Sequence, residues 1–387
     1  MAEVGQSVCM ICGVSLSESS PPYKPQEQDP PGWSPYKWRE SHAVITGPTW
    51  SWEEKGPKSM TVPDELVSVF RARVYNRGQS VSPSGLPIGM QLENLPEQHE
   101  NHDPADGKRW YLPIHSACET MAGRAMQAPQ SRIRSIGDLW MTLDRRCVKT
   151  AWDETVLTPY LPKLPDSQRG EPIKLGLRRY YIPSNAIYAE WPESTDPAEQ
   201  WWYCDLLNIP NLTSALMSNL ERLEPPAAGS DQFTNRFKNL PREIEDAIAV
   251  HLSENGSSLE CTHLIPQSFW KEAFLQIPFL WDVKMGFIED KEEEAASGGF
   301  EWNWEKLTRQ VLAEVPPAYA REEKEYWSDD DDEGGVEEDD WDEEEPTPWN
   351  YSQVGLVVPP GFINRRRIWQ ILVDMYPNDV GMVHSLD

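Results

Sequence analysis

The chain has 387 residues, 39% of them hydrophobic, with 35 prolines, 18 tryptophans and a net charge of −28. That length exceeds one ordinary hydrophobic core and points to two or three units. The acidity argues against direct nucleic-acid binding, which needs a basic footprint, and the aromatic content argues against a wholly disordered chain.

The charge is local. Residues 322–345, "EEKEYWSDDDDEGGVEEDDWDEEE", hold sixteen acids and one lysine, so they carry −15 of the −28 and leave −13 for everything else. Such a block repels itself and reads as a disordered, solvated insert. No run of 18 apolar residues predicts a transmembrane helix. The opening "MAEVGQSVCMICG" lacks a signal-peptide pattern, and the six cysteines are read as those of a reducing compartment, cytoplasmic or nuclear.

In chain order, residues 13–35 are rich in Pro and Ser and read as loop. "LVSVFRARVYN" (66–76) alternates like a strand, and a short strand follows near Ile88–Leu92. "RWYLPIH" (109–115) is a further strand, with Trp110, Leu112 and Ile114 on one face, and runs into a helix "SACETMAGRAMQ" with Ser116 near its N-cap. "SIGDLWMTLDRRC" (135–147) is a second helix. Residues 154–200 are irregular and Pro-rich. Leu212, Leu216, Leu220 and Leu223 fall at helical spacing, with Asn211 as the cap. Further helices are predicted over 239–253, 266–277, 303–315 and 361–376. The expected class is α+β: an N-terminal zinc-stapled α+β domain with short antiparallel strands, then a mostly helical remainder with long irregular loops.

Two short stretches carry metal chemistry. "CMICG" puts Cys9 and Cys12 at CxxC spacing, with Gly13 allowing the turn that a knuckle needs. "HSAC" puts His115 and Cys118 three apart at a strand-to-helix junction, where both face one way. Together they complete a Cys₃His set for zinc. The bland reading is a frayed cysteine pair and one buried small thiol. His99 with His102, and Cys261 with His263, are weaker pairs and read as solvated or ordinary core residues. A redox CxxC needs a strand–CxxC–helix context that this segment lacks. No phosphate-binding glycine loop, nucleophile elbow or metalloprotease motif occurs, so the chain is read as non-enzymatic.

Several pieces in series resemble a group of fungal F-box-like proteins: "CMICG", "VFRARVYN", "YLPIHSAC", "LNIPNLTSALMSNLE", "NLPREIEDAI", "LIPQSFWKEAF" and "NRRRIWQI". In that group the segment beginning Leu-Pro-x-Glu resembles an F-box. Here it starts at Leu240 and Pro241, with Ile244 and Ile248 as an apolar face expected to pack. The resemblance implies a substrate receptor or scaffold that docks on a Skp-type adaptor and cullin. It also implies zinc at Cys9, Cys12, His115 and Cys118. The segment departs from the pattern, because only eleven residues separate Leu252 from Leu264 and the middle of the module is shortened. An ordinary amphipathic helix is the alternative. The division that follows is 1–125 as the zinc domain and 126–232 as a helical and loop region. A degenerate F-box occupies 233–290, and 291–387 forms helices interrupted by the acid block. A rival from another class is an acidic chaperone-like binder of basic proteins, working through 322–345. Arg365, Arg366 and Arg367, beyond that block, are placed to pair weakly with it.

Deleting 322–345 is expected to leave the thermal transition almost unchanged, since nothing there offsets the entropy of ordering the chain. A fall of many degrees would show that the block belongs to the folded core.

Overall fold

The computed structural model describes residues 9–16, 23–47 (without 26 and 28), 62–74, 90–92, 111–146, 197–223 (without 198), 259–313 and 350–375 (without 374). It also describes the single positions 237, 241, 244 and 248. The acid block, Leu240, His99, His102 and Cys147 lie outside the described residues, as does most of 154–200.

Four strands form one antiparallel sheet: β1 (His42–Thr46), β2 (Ser68–Val74), β3 (Met90–Leu92) and β4 (Tyr111–His115), in the order β3-β2-β1-β4. The expected strands near 66–76, 88–92 and 109–115 are β2, β3 and β4. The central strand β1, "HAVIT", is additional. It is buried along its whole length, so it lacks the alternation that marks a strand with one wet face. Its register sets His42 opposite His115 and Ile45 opposite Leu112. The outer edge of β4 does not stand open, because the Met10 N–H donates to the Pro113 carbonyl at 2.9 Å.

Seven helices are described: α1 (Ser116–Ala125), α2 (Ile136–Arg146), α3 (Leu212–Ser218), α4 (Gln267–Leu275), α5 (Met285–Gly298), α6 (Trp304–Leu312) and α7 (Pro360–Val373). All but α5 lie where apolar spacing places helices. The acidic "MGFIEDKEEEAASG" of α5 buries only Ile288 and offers almost no apolar stripe to read. Both caps fall where the sequence places them, with unexpected local detail. His115 is the N-cap of α1, beside Ser116, which already has helical geometry and turns its hydroxyl to Ser41 and Arg71. Asn211 caps α3 with a left-handed backbone and no side-chain bond. The α3 helix also ends before Leu220, and the chain then pairs β5 (Arg222–Leu223) with β6 (Glu301–Trp302). No helix among the described residues is long and apolar enough to cross a membrane.

The helical part is organised around α7. Its Phe362, Ile363, Ile368, Ile371 and Leu372 are buried, and so are Arg365, Arg366 and Arg367. The arginines are therefore not the exposed patch the sequence suggested. In a helix that is buried nearly all round, every face meets protein, and a guanidinium must find its acceptors inside. Arg365 donates to the carbonyls of Leu206, Leu207 and Phe279 and forks onto both oxygens of Asp282 at 2.7 and 2.8 Å. It also stacks on Trp281, 4.1 Å from the ring centroid, with Arg124 4.2 Å from the same centroid. Gly361 lets α7 approach the chain at Asp205, whose backbone carbonyl takes the place a Cβ would need. Buried side chains from Cys9 to Met375 form one continuous cluster.

Asp282→Ala would leave Arg365 buried without its carboxylate. Removing one partner of a fully buried pair costs about 3–5 kcal/mol. Because Asp282 keeps partial access to solvent, the expected loss is about 2–3 kcal/mol, read from the denaturant midpoint.

Candidate metal centre

The CxxC segment is a closed turn. The Gly13 N–H donates to the Cys9 carbonyl at 2.8 Å and the Cys9 N–H to the Val14 carbonyl at 2.9 Å. Gly13 sits at φ +75, a conformation that disfavours any side chain. This turn brings Cys9 and Cys12 onto the same side. It is pinned by its bond to Pro113 beside the end of β4, where His115 leaves the strand and Cys118 occupies the first turn of α1.

The result is a single group: Cys9, Cys12, His115 and Cys118, all buried, with one ligand atom from each lying within 4.8 Å of the others. Cys12 Sγ is 3.5 Å from His115 Nδ1, and the His115 backbone N–H donates to Cys9 Sγ at 3.4 Å. Such N–H donation to sulfur favours thiolate. The edge of a tetrahedron with metal–sulfur bonds near 2.3 Å is about 3.8 Å, so the set is slightly wider than a loaded site and close enough to contract onto an ion. Three thiols and an imidazole in a dry pocket are a soft donor set. This buried cluster could hold a metal ion. It is the one such group found among the described residues.

The surroundings orient these ligands. The Trp38 ring lies 4.6 Å from the His115 ring, and its Nε1–H is anchored on the Tyr203 carbonyl at 2.7 Å. His42, across the β1–β4 pair, is 5.9 Å from His115 ring to ring. Burial, then the neighbouring His115, pushes His42 down to about 3, so it is neutral at physiological pH. Arg367 of α7 donates from Nη1 to the Cys12 carbonyl at 2.8 Å and from Nε and Nη2 to Asn364 Oδ1. Arg39 approaches from the first segment, donates to Ser15 Oγ at 2.9 Å and stacks on Tyr203.

The three thiols are unequal. Burial raises Cys9 and Cys118 above the ordinary thiol range, and neighbouring thiols hold Cys118 higher still. Burial also raises Cys12, but hydrogen bonds from Cys118 and Cys9 and the His115 charge outweigh it and hold Cys12 well below that range.

The weaker pairs do not form sites. Cys261 Sγ faces Asn303 Oδ1 at 4.0 Å, and His263 offers its backbone N–H to Glu305. Glu305 also takes Thr262 and the Arg309 guanidinium, so this loop is pinned by a buried carboxylate. Of the F-box-like positions, Pro241 is exposed, Ile244 is 47% exposed and Ile248 is half-buried. The expectation that Ile244 packs is not met: nearly half of its surface faces solvent. Trp38, His42 and Arg39 escaped the sequence reading, which gave Arg367 a different place, beside the acid block. The one signal was a run of three arginines inside a helix with apolar residues on both sides of it. Comparison with family models, with curated proteins and with solved structures returned no match.

All three thiols must ionise to bind a metal, while Cys9 and Cys118 hold their protons at neutral pH. Loading with a divalent ion at pH 7 should therefore release about two protons, measurable in weakly buffered titration, and affinity should fall as pH drops. Elemental analysis should return one ion per chain. Cys118→Ala should weaken retention by more than the roughly 10–100-fold that loss of an outer partner costs.

Proposed function

We propose that this chain is a non-enzymatic interaction protein folded around a structural zinc ion, acting as an F-box-like substrate receptor or scaffold of a cullin–RING ubiquitin ligase. The observation that carries the non-catalytic part is closure of the cluster. Four protein donors, all buried, account for the four positions of tetrahedral zinc. A catalytic zinc keeps one position open for water or substrate. Zinc suits the donor set, because thiolates select soft or borderline ions and reject magnesium and calcium, which take oxygen ligands. When bound, the ion supplies cross-linking energy: Cys9 and Cys12 would hold it from the turn, and His115 and Cys118 from the strand–helix junction. Binding of this kind contributes on the order of 10 kcal/mol to small zinc domains.

The adaptor-docking part rests on the Leu-Pro-x-Glu resemblance and on the exposure of its side chains. Pro241 and Ile244 reach solvent, and an isoleucine left 47% exposed is available to a partner's apolar groove. A purified Skp-type adaptor titrated into the full chain is expected to bind. Ile244→Asp should abolish that binding and shift stability by no more than about 0.5 kcal/mol, as for other surface changes. Failure of the unmodified chain to bind the adaptor removes the ligase reading. Failure of the purified chain to retain zinc removes the structural-metal reading separately.

A further inference from the structure

Charge bookkeeping at the metal centre leads beyond its ligands. A divalent zinc ion held by three thiolates and a neutral imidazole carries a net charge of −1. A buried anion needs a partner, because burying an isolated charge is costly. The His115 backbone N–H that donates to Cys9 Sγ brings a dipole and no formal charge. The groups that approach are the guanidinium groups of Arg39 and Arg367.

Arg367 is the more telling of the two. It is 1% exposed, stays charged at any physiological pH, and forms no ion pair with a carboxylate among the described residues. Its neighbour in sequence, Arg365, has Asp282, and Arg309 has Glu305. Arg367 has two neutral oxygens, the Cys12 carbonyl and Asn364 Oδ1. Two neutral acceptors satisfy its N–H groups but do not neutralise its charge. The charges that raise its proton affinity, against the burial that lowers it, are those of Cys12, Cys118 and Cys9. The arginine's unbalanced +1 and the centre's −1 are therefore neighbours in the same dry interior. The tie spans 355 positions of sequence, and Asn364 extends it by donating to the Cys204 carbonyl at 2.8 Å.

We propose that Arg367 is the counter-charge of a metal–tris(thiolate) centre, so that metal loading docks the C-terminal helix α7 against the N-terminal turn. This rests on the zinc reading above and deepens it. The carbonyl that receives Arg367 belongs to Cys12, itself one of the four ligands, so without the ion the turn that carries it is no longer tied to His115 and Cys118. The helix then loses the fixed acceptor on which Arg367 is docked. The device also discriminates between centres: a neutral two-thiolate, two-imidazole set would leave Arg367 uncompensated. Arg367 is a positioning residue here and does not ligate the ion.

The test uses the full chain with zinc as the probe and chelator competition as the readout, on the wild type, Arg367→Gln and Arg367→Lys. Gln keeps an N–H for the Cys12 carbonyl and loses the charge; Lys keeps the charge and loses the fork. The expected result is zinc affinity weakened by about 10–100-fold in Arg367→Gln, with most of that loss recovered in Arg367→Lys. Equal losses in both variants, or no loss in Arg367→Gln, would overturn the counter-charge. A wild type that binds no zinc would instead overturn the metal reading on which it rests. Hydrogen exchange on the unmodified chain covers the case in which Arg367→Gln does not fold. Chelation should strip protection from 360–373 together with 9–16, before it reaches 304–312. Retained protection over 360–373 in the metal-free chain would refute the coupling.

Discussion

Three arginines in a row, buried in the same helix, set the constraint on which this architecture depends. A guanidinium carries five donors and cannot shed its charge, so each must find acceptors wherever the helix places it. On α7 these three point in different directions. Arg365 collects the 206–207 carbonyls, Phe279 and Asp282. Arg366 donates to the Leu312 carbonyl at the end of α6 and lies over the Phe279 ring. Arg367 reaches the Cys12 carbonyl. One helix therefore fixes the 206–207 segment, the 279–282 turn, the end of α6 and the N-terminal turn relative to one another. The apolar contacts around it fill the space these bonds define: Phe362 stacks on Tyr351 at 5.4 Å and Trp369 lies against Phe279 at 5.9 Å.

The cluster of Cys9, Cys12, His115 and Cys118 sits at one of those junctions and obeys the same logic from the opposite side. The sheet brings His115 to the end of β4, α1 begins at once and supplies Cys118, and the glycine turn lays two thiols over them. Each step is local. What makes the pocket a dry one is the non-local cover: Trp38, Tyr203 and α7. A cluster of thiols without that cover would be accessible to oxidants and chelators. With it, the donors are sealed from solvent.

The receptor role proposed above would draw on the rigidity of this frame. A receptor needs a rigid body that holds its docking elements at a fixed spacing, and a stapled core supplies rigidity without a large aliphatic interior. Tryptophan and arginine take over much of that role here, through pairs such as Arg365 and Arg124 on Trp281. The exposed apolar residues, Ile244, Leu259 and Leu264 among them, lie outside this packed frame, where a partner can reach them.

By itself the sequence determined the local elements and the ligand set. Period-2 alternation marked β2, helical spacing marked α4, α6 and α7, and CxxC with HxxC marked four donors that do meet. These signals are legible because each depends on neighbours a few residues away. The fully buried strand β1 was not legible, since a strand covered on both faces shows no alternation. Nor was α5, whose face is nearly all acid. Tertiary structure alone decided the role of the arginine triplet, which in sequence resembles a surface patch facing an acidic block. Composition records that a residue is charged. Whether the charge meets water, a carboxylate or a backbone carbonyl depends on which distant segments the fold brings to it.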